Sequence, residues 1–283
     1  MKSLALICGF CMVSVLYSQA QDQGTENTFT PDQVQFEKAI AYFEAGDLSS
    51  AAGEFRKFMV EYPRSPLIAR AHYNVAYISF ILKDYGTAKM IFKEILTKPY
   101  NEQDSNDIME PYTLYKHHTC RHLAEIALEE KDYEAAEKYI QLFDKQYPYQ
   151  HFCGNEWSAY DMYVAVMRAR VYEGANQVKK ALEVLLPYIF TQALASNADV
   201  LDELIVVLEK NFTKLDLREE FRRSLSTLTV KKTKKEVNAT VTLYGVKVEV
   251  EDYMYEEDKG KTLSLQEHYQ NVVKENKLFK KFL

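Results

Sequence analysis

Residues 52–76 read AGEFRKFMVEYPRSPLIARAHYNVA and contain the pattern that decides the fold. The stretch follows Ala51 directly; Phe55 comes four residues after that alanine, and Leu48 comes three residues before it. Spacings of three and four place such side chains on one face of a helix. Ala76 ends the stretch, twelve residues before another alanine, Ala88. The pattern predicts two packed helices with a small residue on each where their backbones approach.

The same arrangement occurs four times in the chain. A small alanine precedes a large apolar residue by four positions in each copy: Ala51 and Phe55, Ala88 and Phe92, Ala136 and Ile140, Ala181 and Leu185. Another apolar residue stands three positions before each of these alanines: Leu48, Tyr85, Tyr133 and Val178. A second small residue stands twelve positions before: Ala39, Ala76, Ala124 and Ala169.

A polar break separates the two helices of each predicted pair. The four breaks are Gly46-Asp47, Lys83-Asp84, Lys131-Asp132 and Asn176-Gln177. Aspartate is a good N-cap because its carboxylate accepts hydrogen bonds from unsatisfied amides at a helix start. Helix, tight turn and helix, repeated, is the layout of tetratricopeptide repeats. We therefore expect an all-α fold with an α-solenoid of about four such repeats over residues 31–195, with an insertion at Asn101–Glu110.

The motif Phe-x-x-Phe-x-x-x-Tyr-Pro-x-Ser-Pro, followed by alanines and a tyrosine, runs from Phe55 to Ala76. It resembles the tetratricopeptide domains of bacterial periplasmic envelope proteins, among them the outer-membrane assembly lipoprotein and the Tol-Pal-associated protein. The close resemblance covers about 60 residues, and the looser repeat pattern covers about 160. The resemblance implies a scaffold or adaptor role at the envelope, without catalysis and without a cofactor.

The first twenty residues have the pattern of a secretory signal peptide. Lys2 precedes an apolar run from Leu4 to Leu16, and Ser18-Gln19-Ala20 supplies small residues at a cleavage point. A lipoprotein signal needs a small residue before its cysteine, but Ile7 and Phe10 precede the two cysteines here. Residues 21–30 form a polar leader, and SQAQDQ resembles export signals of the Bacteroidetes type. We expect an exported protein, periplasmic or loosely associated with the outer membrane.

The C-terminal third of the chain predicts a different set of elements. Residues 196–228 read as capping helices, which a solenoid needs to cover its last apolar face. Residues 229–262 predict a basic linker and a β-hairpin, since Val241 and Leu243 alternate with polar residues and the alternation changes phase at Tyr244-Gly245. Residues 263–283 predict one amphipathic helix with a basic end.

Composition and motifs limit the function classes. A formal charge of −6 and no long basic patch argue against a nucleic-acid partner, and no segment after the leader is apolar and long enough to span a membrane. No phosphate loop or hydrolase motif is present. His118 and His122 lie one helical turn apart, which is a weak metal signal without further ligands. Cys120 and Cys153 permit a disulfide or two buried thiols, and the sequence leaves this open.

The first helices of tetratricopeptide arrays line a groove that holds a protein or peptide. Alignment on the repeated alanines assigns twelve residues to it: Gln33, Phe36, Ile40, Arg70, Tyr73, Tyr77, His118, Arg121, Glu125, Tyr163, Val166 and Arg170. Aromatic rings beside arginines suit an extended peptide with carboxylate groups. The alternatives are a permanent subunit of an envelope secretion or assembly machine and, less favoured, a metal-binding or enzymatic protein. The oligomeric state stays open.

Overall fold

The computed structural model describes residues 29–100, 114–149, 154–191, 195–233, 236–252 and 264–283. The chain divides into two compact units. The first contains the described residues of Met1–Ile126 and Gln141–Gln150, and the second contains those of Ala127–Ile140 and His151–Leu283. The predicted signal peptide, the insertion at 101–110 and Cys153 lie outside the described residues.

In the described part of the region predicted to hold the repeats, eight α-helices follow one another and confirm the predicted alternation of helix, turn and helix. A π-helical turn, Leu142–Gln146, extends the sixth helix, and a 3-10 turn, Leu186–Tyr188, extends the eighth. The helices are α1 (Pro31–Glu44), α2 (Leu48–Glu61), α3 (Ile68–Ile81), α4 (Tyr85–Thr97), α5 (Tyr115–Glu129), α6 (Tyr133–Gln141), α7 (Gly154–Gly174) and α8 (Val178–Leu185).

The turns inside the four pairs share one backbone geometry. The residue before the second helix's N-cap has a left-handed backbone in each: Gly46 (φ +79°), Lys83 (+59°), Lys131 (+60°) and Asn176 (+58°). The next amide donates to the carbonyl five residues earlier, at 2.7–2.9 Å. This is the Schellman motif, which satisfies carbonyls at a helix end. The sequence did not reveal that two lysines would adopt a conformation that glycine adopts at lower cost.

The residue that completes each Schellman motif also begins the second helix. The carboxylates of Asp47, Asp84 and Asp132 accept from the amides three residues ahead at 3.0–3.1 Å, as predicted for N-caps. These hydrogen bonds hold the pKa of Asp47 and that of Asp84 below the usual range. Gln177 provides no side-chain cap, so the fourth turn relies on its backbone hydrogen bonds.

The small residues of the repeated pattern lie in the interior of the helical pairs. All eight are completely buried: Ala39, Ala51, Ala76, Ala88, Ala124, Ala136, Ala169 and Ala181. The large residues that follow the second set, Phe55, Phe92, Ile140 and Leu185, are completely buried too. Within the first pair, the Phe36 ring contacts the Phe55 ring edge to face at 5.3 Å. Small and large side chains therefore alternate across the contact between paired helices.

The C-terminal part of the second unit contains four helices and a small antiparallel sheet. One apolar core joins these elements to α7 and α8. The helices are α9 (Ala198–Asn211), α10 (Lys214–Ser226), α11 (Leu265–Glu275) and α12 (Lys277–Phe282); the strands are β1 (Thr229–Lys232), β2 (Val237–Leu243) and β3 (Val246–Glu249). The helices α9 and α10 fall where the sequence predicted capping helices.

The predicted hairpin is confirmed in its register and turn. Val241 pairs with Val248 and Leu243 pairs with Val246. Tyr244 (φ +51°) and Gly245 (φ +80°) both have left-handed backbones, as a type I′ turn requires. One face of the hairpin, including Val241 and Val248, is buried in the core of the second unit.

Two details of this region differ from the sequence interpretation. Residues 229–232, which the sequence assigned to a linker, form a third strand that pairs with β2. A lysine-rich strand with one apolar residue, Val230, suits an exposed sheet edge, and its pattern is too short to be recognised alone. The predicted single helix 263–283 is broken at Asn276, whose side chain caps α12 and donates to the Ile189 carbonyl at 2.8 Å.

Substitution of two glycines by alanine should change the stability of the protein in opposite directions. Gly46→Ala should lower the free energy of unfolding by about 1 kcal/mol, because a β-carbon is strained at this φ. Gly53→Ala should raise it by about 0.5–1 kcal/mol, because Gly53 lies inside α2 with nothing within 4 Å of an added methyl group. Urea denaturation of both variants measures the difference, and equal shifts would contradict the assigned turn.

Candidate functional site

The first helices of three successive pairs, α1, α3 and α5, supply nine of the twelve residues predicted to line a groove. In the first unit the guanidinium of Arg70 on α3 lies 5.4 Å from the ring centroid of Phe36 on α1. The ring of Tyr73 on α3 lies 6.2 Å from the ring of His118 on α5. Predicted groove residues of α1, α3 and α5 are therefore brought together, although they lie more than 30 residues apart in sequence.

Burial separates the predicted set into core and accessible positions. Phe36 and Tyr73 are only 2% and 8% exposed, so they belong to the core. Six other predicted groove residues on the same three helices are half-buried and keep part of their side chains at the surface. We call them the first-helix strip: Ile40, Arg70, Tyr77, His118, Arg121 and Glu125. Gln33 is exposed at the start of α1.

The predicted residues of the second unit lie on α7. Tyr163 and Arg170 are half-buried, whereas Val166 is buried. The Nε of Arg170 donates to the Glu203 carboxylate of α9 at 2.8 Å. The Arg170 guanidinium is therefore already paired with a carboxylate of the chain itself, and a partner's carboxylate would have to compete with Glu203 for it.

A buried polar cluster lies beneath the first-helix strip, and the sequence interpretation missed it. His122 of α5 is 3% exposed. Its Nδ1 lies 3.0 Å from Glu125 Oε2, and its Nε2 lies 3.0 Å from the Tyr73 hydroxyl. Because a carboxylate can only accept, Nδ1 carries the proton, and Nε2 accepts from the tyrosine. The cluster therefore joins α3 to α5 through one imidazole.

Aromatic rings surround this imidazole. The ring of His122 lies 4.6 Å from the Phe80 ring, 5.2 Å from the Tyr77 ring and 5.6 Å from the Phe92 ring. Burial lowers the pKa of His122, and the hydrogen bond that His122 donates to Glu125 acts in the opposite direction. The imidazole is accordingly neutral at pH 7.

The charged residues next to the buried cluster, Arg121 and Glu125, are members of the first-helix strip. Glu125 Oε1 lies 3.7 Å from Arg121 Nε, while its other oxygen faces His122. One carboxylate thus links the surface arginine to the buried histidine. A partner that engages Arg121 would change the field acting on His122.

The sequence suggested His118 and His122 as a weak candidate pair of metal ligands. Both ring nitrogens of His122 already have hydrogen-bond partners, so this histidine is oriented for packing. Among the described residues, no three His, Cys, Asp or Glu side chains are placed to hold one metal ion. Cys120 is buried, and its suggested partner Cys153 lies outside the described residues.

Repeat register is the sequence signal that could have revealed the cluster. Asn74 and His122 both stand two residues before a completely buried alanine of a first helix. Both are buried polar side chains, whereas Met167 occupies the same place in α7. A polar residue where another repeat carries a large apolar one indicates a local polar network.

The geometry agrees with the comparison with known proteins. A tetratricopeptide repeat model matches residues 33–65, from α1 to the turn before α3. The Ser65 hydroxyl near the end of this segment donates to the Asp32 carboxylate at 2.6 Å and contributes to lowering the pKa of Asp32. Tetratricopeptide repeats generally mediate protein–protein interaction. No curated protein and no solved structure matches the chain.

None of the described helices combines the length and apolar character needed to cross a membrane.

The hydrogen bond between α3 and α5 can be tested by removing one hydroxyl. Tyr73→Phe should lower the free energy of unfolding by about 1–3 kcal/mol, because it leaves the buried Nε2 of His122 without its donor. The matched control is Tyr42→Phe on α1, whose half-buried hydroxyl makes no hydrogen bond to a described residue. Urea denaturation measures both, and an equal, small effect would argue against the cluster.

Proposed function

We propose that this chain is an exported, non-enzymatic tetratricopeptide scaffold or adaptor that binds a protein or peptide partner in the bacterial envelope. The observation that carries the proposal is the contact between first helices of successive pairs in a chain that contains a tetratricopeptide repeat. These contacts make the first-helix strip a continuous candidate surface rather than isolated positions.

The chemistry of the strip supports an extended peptide as the partner. Tyr77 offers a large ring with a polar tip, which gives much contact area at low entropic cost. Arg70 and Arg121 offer planar donors that match carboxylates and peptide carbonyls. Glu125 Oε1 lies 3.7 Å from Arg121 Nε and attracts the guanidinium electrostatically toward the strip.

Binding through the strip can be tested by pull-down from the envelope fraction of the source cells. The double variant Tyr77→Ala and Arg121→Ala should reduce partner recovery at least about tenfold, since large aromatic and arginine contacts each contribute 1 kcal/mol or more at hot spots. The matched control changes Arg56 of α2 and Met90 of α4 to alanine, because both are exposed on second helices. Loss of binding with the control pair, and none with the strip pair, would place the partner on the other face.

Export is supported by the N-terminal sequence: a basic start, an apolar run and small residues before Gln21. The mature protein should therefore begin at Gln21. Mass spectrometry of the protein purified from the periplasmic fraction measures this. An uncleaved chain confined to the cytosol would overturn the export proposal while leaving the binding proposal intact.

A further inference from the structure

Three buried histidines are concentrated in the first unit. His72, His117 and His122 are each 3–5% exposed. Each is within hydrogen-bond distance of a group from another helix or from the segment that follows one. In the described part of the second unit the histidine is His268, which is half-buried. Among the described residues, the first unit therefore has more buried imidazoles that must stay unprotonated than the second unit has.

His72 ties α3 to the segment after α4. Its Nδ1 lies 2.7 Å from the Tyr100 hydroxyl. The charged groups that face it come from α4 and its end: Glu94 Oε2 lies 3.8 Å from Nε2, and Lys98 pairs with Glu94 at 2.8 Å. Burial lowers the pKa of His72; Glu94 opposes this effect, and Lys98 adds to it.

His122 of α5 connects this helix to α3 through its hydrogen bond with Tyr73. Tyr73 directly follows His72 in the sequence. The charged groups that act on it both belong to α5: Glu125 favours its protonation and Arg121 disfavours it. From α3 the titratable groups are the hydroxyls of Tyr73 and Tyr77, and from α4 the contact is the apolar Phe92 ring.

His117 ties α5 to the segment after the π-helical turn. Its Nδ1 donates to the Tyr147 carbonyl at 2.8 Å. Its ring lies 5.7 Å from the Phe143 ring and 5.4 Å from the Tyr149 ring. The titratable ring of His118 lies 5.2 Å away. The ammonium of Lys116 lies over the Tyr147 ring.

We propose that these three histidines make the first unit an acid-sensitive element, in which α3 and α5 loosen from their neighbours when the pH falls from 7.5 to 5.5. Five of the six residues of the first-helix strip lie on these helices, so acid would release a bound partner. The loosening itself is a property of the chain alone and does not depend on the proposed function.

The physical reason is the cost of burying an imidazolium. A histidine exposed in the unfolded or opened state takes up a proton near pH 6.5. When the pKa of such a group is lower in the folded state, its contribution to the free energy of folding is fully present above pH 6.5. The contribution is lost as the pH falls below 6.5, because the opened state then binds a proton that the closed state excludes. Each proton excluded from the closed state changes the opening equilibrium by about tenfold per pH unit. Burial lowers the pKa of His72 and that of His122, and His117 is buried to a similar degree. Several buried imidazoles in one unit make the response steep.

Hydrogen–deuterium exchange of the full chain, followed by mass spectrometry, tests this proposal. After correction for the intrinsic effect of pH on exchange, protection of α3 and α5 should fall by up to about fivefold for each buried histidine between pH 6.5 and 5.5. Protection of α9 and α10 should change by less than about threefold, since no buried histidine is described there. This comparison uses the second unit as a control inside the same molecule.

Variants assign the effect to the histidines. The pH dependence in α3 and α5 should flatten in H72Q/H117Q/H122Q and should persist in H268Q. If the triple variant does not fold, NMR titration of the imidazole carbons in the unaltered protein replaces it. Protonation of the three buried rings between pH 6.5 and 5.5 without loss of protection would overturn the proposal. An equal loss of protection in α9 and α10 would overturn it as well.

Discussion

The close approach of two helices at a methyl-sized side chain is the constraint on which the other features of this molecule depend. Packed helices lie about 8–10 Å apart, and the distance depends on the side chains at their contact. Ala39 and Ala51 are completely buried in the first pair, and the equivalent alanines are completely buried in the other three. Larger residues such as Phe55 fill the space beside them. This alternation makes each of the pairs α1–α2, α3–α4 and α7–α8 one packing unit.

The short turns between paired helices restrict how the second helix can pack on the first. A left-handed residue ends the first helix, and the following residue is the N-cap of the second, so only three residues separate the helices of each pair. Such a short connection leaves little freedom in the direction of the second helix, because its backbone amides and carbonyls are already paired. Lys83 and Lys131 adopt the strained conformation since the packing on both sides of the turn requires it.

The first-helix strip combines a polar surface with a polar interior. Glu125 faces Arg121 at the surface and His122 beneath it, so surface charge and buried packing are coupled within one helical turn. Buried polar networks hold a unique arrangement when every member is satisfied and become costly when one member changes its protonation state. Surface charge on the strip is therefore coupled to the stability of the contact between α3 and α5.

Local patterns in the sequence were sufficient to predict the helical pairs, three of the four N-caps and the register of the β-hairpin, because spacing of three, four or two residues directly decides which side chains share a face. Only the tertiary structure decided that Tyr73 meets His122, that Phe36 lies in the core, that residues 229–232 form a third strand and that Asn276 divides the last helix. These features depend on groups up to 87 residues apart. A contact of this kind leaves no period in the sequence, since its energy arises from burial and pairing that exist after the chain has folded.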